Sequence, residues 1–223
     1  MASRLRPKNI FGERGIEQEH KSPKEVFVIS IATEGKTEEQ YFDYLSEMVS
    51  NGVIKIDRLI RDDEDDTKSH PMYVIELLEE RIELWKEYGV EANELWMIID
   101  RDKQNVSKKQ LEQIIENCEN KGFNLALSNP TFELWLLLHV TDLVKYDKNQ
   151  LLENKKVTKK RRFIDKELSD LNNGYNKSKI KFEDFSDGIQ DAIRRAKELE
   201  INNYKLIENL GTSVCLLVEK VIK

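Results

Sequence analysis

The sequence has few of the residues that build disulfide frameworks and zinc sites. Its two cysteines, Cys118 and Cys215, stand far apart in a chain of 223 residues. They indicate neither a disulfide scaffold nor a zinc centre, and they favour a reducing compartment. No apolar run approaches the roughly 20 residues that cross a bilayer, and the chain has no internal repeat or low-complexity tract. We therefore expect a cytoplasmic protein with no membrane partner.

The beginning of the chain also lacks the apolar stretch of a signal peptide. Residues 1–24 are polar and contain Arg4, Arg6, Lys8 and Arg14, so we interpret them as a flexible basic arm. The whole chain has a net charge of -6, which excludes a protein that coats nucleic acid with its entire surface. A local basic face is compatible with this balance.

Short apolar segments alternate with amphipathic ones from residue 25 to residue 140. Strands are predicted at 26–32, 53–60, 94–100 and 123–127, and helices at 37–48, from about 71, at 107–120 and at 129–139. Thr37 is predicted as the N-cap of the first helix, and Asn129 as that of the last, with Pro130 at its first position. This order predicts an α/β fold with a mostly parallel sheet flanked by helices. Ligands of such sheets bind outside the carboxyl ends of the strands.

Residues 141–223 differ in composition from the α/β core predicted at 25–140. Residues 151–181 hold ten Lys or Arg and only four Asp or Glu. Two further helices are predicted at 188–200 and 212–222. The sequence therefore predicts a helical, partly basic C-terminal region beside the core.

Acidic side chains follow two of the predicted strands. Glu34 and Gly35 come after the first strand, Asp100 ends the third, and Asp102 lies two residues beyond it. Each group alone has an ordinary explanation, because a loop glutamate is usually solvated and Asp is common in surface turns. At one edge of a parallel sheet, however, three carboxylates repel one another unless a cation is bound. Carboxylate oxygens suit Mg²⁺, and the pattern is typical of phosphoryl transfer.

Glu133 and His139 lie on the helix that follows the fourth strand. Glu133 falls in the first turn, where the helix dipole stabilises a carboxylate. Because this turn is also near the ligand edge, Glu133 is predicted either as a dipole-stabilised residue or as a ligand of a second metal ion. His139 shares an apolar stripe with Phe132, Trp135 and Leu136, which favours a hydrogen-bonded core residue over a catalytic one.

Basic residues are the candidate contacts to a phosphate backbone. The densest group is the run KKVTKKRR at 155–162. It is interpreted either as a solvated surface or as a site that binds phosphates without reading sequence. No aromatic residues are interleaved with it, so a base-stacking platform is not indicated. The candidate nucleic-acid contacts are Lys36, Lys159, Lys160, Arg161, Arg162 and Lys177.

Several of these segments resemble known families. A Glu-Gly after the first strand and a later Asp-x-Asp resemble the Toprim domain. The runs IATEGKTE at 31–38, IDRD at 99–102 and SNPTFELW at 128–135 resemble the RloB-like family within that superfamily. The resemblance implies a Toprim site that binds Mg²⁺ or Mn²⁺. Asp100 and Asp102 would be ligands, and Glu34 would be a general acid/base or a carboxylate that shapes the metal site.

The same resemblance implies an activity and a partner. The expected activity is metal-dependent hydrolysis of phosphodiester bonds in RNA, tRNA included, or in DNA. The expected setting is a phage-defence or restriction-linked system, with an ABC- or AAA-type ATPase as partner. The alternative is a non-catalytic Toprim scaffold that regulates or docks on that ATPase.

Overall fold

The structure is a computed structural model that describes residues 27–33, 35–49, 54–59, 94–101, 103 and 106–222, together with the helical residues 75, 76, 78–80, 82, 83 and 87. The strands are β1 (Phe27–Thr33), β2 (Ile54–Leu59), β3 (Glu94–Asp100), β4 (Asn124–Asn129) and β5 (Gly211–Thr212). The basic arm predicted at 1–24 lies outside the described residues.

Helices occupy most of the remaining described chain. They are α1 (Lys36–Met48), α2 (the helical residues between 75 and 87 given above), α3 (Lys108–Lys121), α4 (Glu133–Val140), α5 (Lys148–Glu153), α6 (Phe163–Leu171), α7 (Glu183–Ser186), α8 (Ile189–Lys197), α9 (Asn203–Leu206) and α10 (Val214–Val221). None of the helices in these ranges is long and apolar enough to cross a membrane.

The described strands form one sheet in the order β2-β1-β3-β4-β5. β1 to β4 run parallel, and β5 is antiparallel to β4. In the register of the sheet, Thr33 pairs with Ile98, and Asp100 pairs with Ser128. The carboxyl ends of β1, β3 and β4 therefore lie at one edge, and the predicted α/β fold with a mostly parallel sheet is confirmed.

Both faces of the sheet are apolar because helices cover both. Alternate residues of β3 point to opposite faces. Trp96 and Ile98 belong to the apolar core that includes residues of α1 and α4. Met97 and Ile99 belong to a second core, which includes residues of α3 and α9. Asp100, two residues after Ile98, continues the α1 and α4 side of the strand.

Helix α4 is buried along nearly its whole length. All residues from Glu133 to His139 are buried, so this helix has no solvent-facing stripe and must be covered on every side. Helices α6, α7 and α8 supply the cover opposite the sheet. Each fully buried leucine of α4 contributes about 1.5–3 kcal/mol, which makes α4 a firm platform for the residues at its N-terminus.

The C-terminal region joins the same sheet through β5. The Ser128 and Thr212 hydroxyls are hydrogen-bonded at 2.8 Å, and the Ser213 amide donates to the Leu127 carbonyl at 3.0 Å. Helix α8 packs on α4, and α10 packs on α8. The division of the chain at residue 140 stays a prediction.

Two predicted N-caps are wrong. Asn129 ends β4 and pairs with Gly211, and α4 begins only at Glu133, with Phe132 as its N-cap. The pairing with β5 is a long-range contact that overrides the local Asn-Pro signal. Helix α1 begins at Lys36 with Gly35 as its N-cap, so Thr37 lies inside the helix.

His139 is a core residue, as predicted. It is 5% exposed, and its Nδ1 lies 2.9 Å from the Trp135 carbonyl. Because a carbonyl only accepts, Nδ1 carries the proton and donates. Nε2 then accepts from the Tyr41 hydroxyl at 3.1 Å. Burial lowers the pKa of His139 to about 4, so the imidazole is neutral near pH 7.

Candidate functional site

The carboxyl ends of β1 and β3 bring the predicted acidic segments to one edge of the sheet. Thr33, the last residue of β1, pairs with Ile98 of β3, and Asp100 is the last residue of β3. Of the three predicted catalytic carboxylates, the structure describes Asp100. Glu34 and Asp102 lie outside the described residues. In the sequence, Glu34 directly follows Thr33, and Asp102 directly follows Arg101.

Asp100 is held by the N-terminal end of α4. Its Oδ1 accepts a hydrogen bond from the Phe132 amide at 2.7 Å. An amide at the start of a helix has no partner within the helix, so a carboxylate there satisfies it and benefits from the helix dipole. The next residue is Glu133, and Asp100 is thereby fixed beside the start of the buried helix.

Glu133 is almost fully buried and forms an ion pair. It is 4% exposed, and its Oε1 lies 2.9 Å from Lys177 Nζ. The Tyr175 hydroxyl donates to the same oxygen at 3.3 Å. Two residues predicted for different tasks, Glu133 for a metal ion and Lys177 for nucleic acid, are therefore in direct contact.

Asp165 is a functional candidate that sequence reasoning missed. It is 5% exposed, and its Oδ1 lies 3.1 Å from Lys177 Nζ. Its Oδ2 accepts from the Arg162 amide at 3.1 Å, where α6 begins. Burial raises the pKa of Asp165, and the Glu133 carboxylate raises it further, while Lys177 opposes both. The one sequence signal is its place three residues after the N-cap of α6, which indicates a cap only.

Lys177 therefore sits between two buried carboxylates. We call Glu133, Asp165 and Lys177 the Lys177 cluster. Burial acts to lower the pKa of Lys177, but the Glu133 and Asp165 charges outweigh it and raise that pKa. The ammonium is thus charged at neutral pH. The side chain as a whole is 46% exposed, in contrast to the two carboxylates that it contacts.

The segment that carries Lys177 is tied to the start of α1. Thr37 Oγ1 donates to the Lys177 carbonyl at 3.3 Å, and Gln40 Oε1 accepts from the Ile180 amide at 3.1 Å. Burial raises the pKa of Tyr175, and the Glu133 and Asp165 charges add to this effect. Tyr175 therefore stays protonated and serves as a donor to Glu133.

Glu38 is a second buried carboxylate that the sequence did not single out. It is 5% exposed and lies against Gly35. A Cβ on Gly35 would stand 2.5 Å from Glu38 Oε2, a contact that real side chains essentially never make. A side chain at residue 35 would therefore displace the Glu38 carboxylate, so the glycine of the Glu-Gly pair allows this close approach.

The donor set at this edge consists of hard oxygen atoms. Carboxylates of Asp100 and Glu133 are of the type that Mg²⁺ and Mn²⁺ accept, and the predicted partners Glu34 and Asp102 would add to them. Within the described ranges, no three acidic, histidine or cysteine side chains converge closely enough to hold a metal ion. The described residues thus fit such an ion by chemistry, as part of a larger set.

The basic run at 155–162, called the basic turn below, folds back on itself. Lys156 and Arg162 form an antiparallel bridge, and Thr158 Oγ1 accepts from the Lys160 and Arg161 amides at 3.3 and 3.0 Å. Lys156, Lys159 and Lys160 are exposed, and so is Lys36 at the start of α1.

The two arginines of the basic turn are less accessible than its lysines. Arg161 and Arg162 are half-buried, and Arg162 Nη1 donates to the Asn154 carbonyl at 3.4 Å. Arg162 therefore also has a structural contact within the turn. Because the Arg162 amide also donates to Asp165, the basic turn leads directly into the Lys177 cluster.

Comparisons with known proteins yield one family. Searches of curated proteins and of solved structures found no match. Residues 29–221 match the sequence profile of the family described as RloB-like protein. The match covers the sheet edge, the Lys177 cluster and the basic turn. The chain belongs to the RloB-like family.

Proposed function

We propose that this protein is a metal-dependent nuclease that hydrolyses phosphodiester bonds in RNA or DNA. The observation that carries the proposal is the pair of buried carboxylates Glu133 and Asp165, joined by Lys177. Glu133 directly follows Phe132, whose amide binds Asp100 at the edge where parallel sheets bind ligands. Burying carboxylates is costly unless each has a partner. Buried carboxylates near the carboxyl ends of the strands, with a charged lysine between them, are the kinds of residue that a phosphoryl-transfer site contains.

The chain's own residues have distinct proposed tasks. Asp100, with Glu34 and Asp102, would hold Mg²⁺ or Mn²⁺, and Glu133 is the proposed additional ligand. A bound divalent cation would supply a Lewis acid for the phosphate oxygens. The Lys177 ammonium, which the two carboxylates hold in a defined position, is the proposed group that neutralises charge on the phosphate.

Hydrolysis requires a water proton to leave as the oxygen attacks phosphorus. As the water oxygen forms its bond to phosphorus, the P–O bond to the leaving oxygen breaks, and that oxygen requires a proton. Glu34 is the proposed group that accepts or supplies a proton, since the resemblance makes it a general acid/base. Tyr175 acts as a positioning residue, because its hydroxyl holds the Glu133 carboxylate rather than facing solvent.

The basic turn is the proposed contact to the nucleic-acid backbone. Lys159 and Lys160 are exposed, and Arg161 follows them in the same turn. Such residues neutralise phosphates and add affinity without selecting a sequence. Because the turn leads into α6, a strand bound there would be near the Lys177 cluster.

We also propose a biological setting on the resemblance alone. The nuclease would be the effector of a phage-defence or restriction-linked system, and its partner would be an ABC- or AAA-type ATPase. The competing proposal is a non-catalytic scaffold that docks on such an ATPase.

A cleavage assay separates these proposals. Purified protein is incubated with total tRNA, single-stranded RNA or plasmid DNA, in Mg²⁺, Mn²⁺ or EDTA, with and without the ATPase. We expect metal-dependent cleavage of one substrate class and its loss in Asp100→Ala. Equal cleavage by the variant, or no cleavage by the wild type under any of these conditions, would refute the nuclease proposal.

A further inference from the structure

Arg101 is a buried charge between two proposed metal ligands. It follows Asp100 and precedes Asp102 in the chain, and it is 7% exposed. A charged side chain removed from water destabilises the fold unless it is hydrogen-bonded. An arginine that bound the phosphate of a substrate would have to be accessible, which Arg101 is not.

The Arg101 side chain is bonded to two backbone carbonyls from different parts of the chain. Nη1 donates to the Val106 carbonyl at 2.7 Å, and Nε donates to the Ile207 carbonyl at 3.1 Å. Its own amide donates to the Ser128 carbonyl at 2.8 Å. The residue after Asp100 is thus fixed through backbone and side chain together.

Arg101 and Asp100 face opposite sides of the sheet edge. Asp100 contacts the amide of Phe132 at the start of α4. Arg101 contacts Ile207, which belongs to the apolar core on the other face. The guanidinium therefore holds the end of β3 from the face opposite to the contact between Asp100 and α4.

The segment around Ile207, which Arg101 contacts, is itself fixed by hydrogen bonds. Asn129 Nδ2 donates to the Leu206 carbonyl at 2.6 Å, next to Ile207. Asn203 Nδ2 donates to the Leu125 carbonyl at 2.9 Å, and Asn203 Oδ1 accepts from the Ser213 hydroxyl at 2.7 Å. Strand β4 and the residues around β5 thus fix the segment that Arg101 contacts.

The second carbonyl belongs to the segment that leads into α3. Val106 is 4% exposed, and Ser107 forms a reciprocal capping box with Gln110. Arg101 therefore joins the end of β3 to the start of α3, across the segment that contains Asp102.

We propose that Arg101 is a positioning residue for the metal site, and that it fixes the end of β3, and with it Asp100, against the carbonyls of Val106 and Ile207. The part of this inference that concerns metal rests on the proposed function. Lysine cannot replace Arg101, because an ammonium is a point charge, whereas the guanidinium is a rigid fork that donates in two directions.

The first test is Mn²⁺ affinity, measured by isothermal titration calorimetry on wild type and Arg101→Lys. Residues that orient metal ligands typically change affinity by about 10- to 100-fold when replaced, and we expect a loss in that range. The matched control is Arg195→Lys. Arg195 Nη1 donates to the Leu138 and His139 carbonyls at 2.6 and 3.2 Å, near the far end of α4. We expect wild-type affinity in this control.

The second test needs no metal. Hydrogen exchange of the metal-free proteins reports on the Arg101 amide, bonded to Ser128, and on the Phe132 amide, bonded to Asp100. We expect faster exchange at both amides in Arg101→Lys and no change there in Arg195→Lys. Arg101→Gln, which keeps one donor nitrogen, is measured in the same way. It provides a second test in case the lysine variant does not fold.

The outcomes separate the two proposals. Unchanged exchange at both amides in a folded Arg101 variant would overturn the positioning role. Faster exchange with unchanged Mn²⁺ affinity would overturn its link to the metal site. If the wild type binds no Mn²⁺, the nuclease proposal fails, and the exchange comparison still decides whether Arg101 orders the end of β3.

Discussion

The Lys177 cluster and the basic turn are both strongly charged, and both adjoin the start of α6, yet their environments differ. In the cluster, Glu133 and Asp165 are buried, and Lys177 lies within 3.1 Å of each. In the basic turn, Lys156, Lys159 and Lys160 are exposed. A charge with fixed partners has a defined position for chemistry, whereas an exposed charge contributes mainly salt-dependent attraction.

The basic turn provides the largest expected effect. Replacing Lys156, Lys159 and Lys160 together by glutamine should lower duplex affinity on the order of a thousandfold at 50 mM salt. The reason is that three phosphate contacts are lost. The slope of log affinity against log salt, measured by fluorescence anisotropy, should shrink by about 3.

A matched triple variant removes the same charge elsewhere. Lys121, Lys197 and Lys220 are ion-paired with Glu79, Glu219 and Glu94. Replacing all three by glutamine should leave the salt slope nearly unchanged. Equal slopes for the two triple variants would mean that net charge, rather than the basic turn, governs binding.

His139 provides a second contrast, because it is a buried titratable group whose side-chain hydrogen bonds, among the described residues, are to Tyr41 and Trp135 and not to a carboxylate. Its pKa is lowered from 6.5 to about 4, chiefly by burial. The folded protein then binds this proton less readily than the unfolded chain, so the free energy of unfolding falls as pH drops from 6.5 to 4. The loss should be about 3 kcal/mol.

Urea denaturation across this pH range measures the effect, with His139→Gln as the comparison. The variant lacks the titrating group, so the difference between the two proteins should change with pH by the same amount. A difference that stays constant from pH 6.5 to 4 would show that His139 does not change its protonation on unfolding.

Lys177 should produce a smaller change in stability. In Lys177→Met, Glu133 and Asp165 lose the ammonium between them. Breaking a fully buried pair costs about 3–5 kcal/mol. Because Lys177 is 46% exposed, we expect a smaller loss of about 1–3 kcal/mol in the free energy of unfolding.

The comparison variant for Lys177 is Lys179→Met, at an exposed position of the same segment, with an expected change within about 0.5 kcal/mol. The pKa of Lys177 is raised, so its contribution should persist below the usual lysine value of about 10.4. It should disappear as pH rises through the raised value. Equal stabilities for the two variants at pH 7 would refute the pairing.

Much of the sheet could be predicted because buried parallel strands read as apolar runs. The bounds of β3, Glu94–Asp100, follow directly from the run ELWMIID, which also predicts Asp100 at its end. The cluster could not be predicted, since Lys177 and Tyr175 contact Glu133 only in the folded chain, more than 40 residues apart in sequence. Asp165 occupies an ordinary capping position, and nothing local marks it as a partner of Lys177.

The most direct test of the proposed active site is single-turnover cleavage by Asp100→Asn on the substrate found in the assay above. The asparagine oxygen can still accept from Phe132, so the fold is retained while the negative charge is lost. Asp170→Asn, at an exposed carboxylate on α6, is the control. We predict a loss on the order of a hundredfold or more for Asp100→Asn and wild-type cleavage for Asp170→Asn. Equal rates for the two variants would contradict an active centre at Asp100.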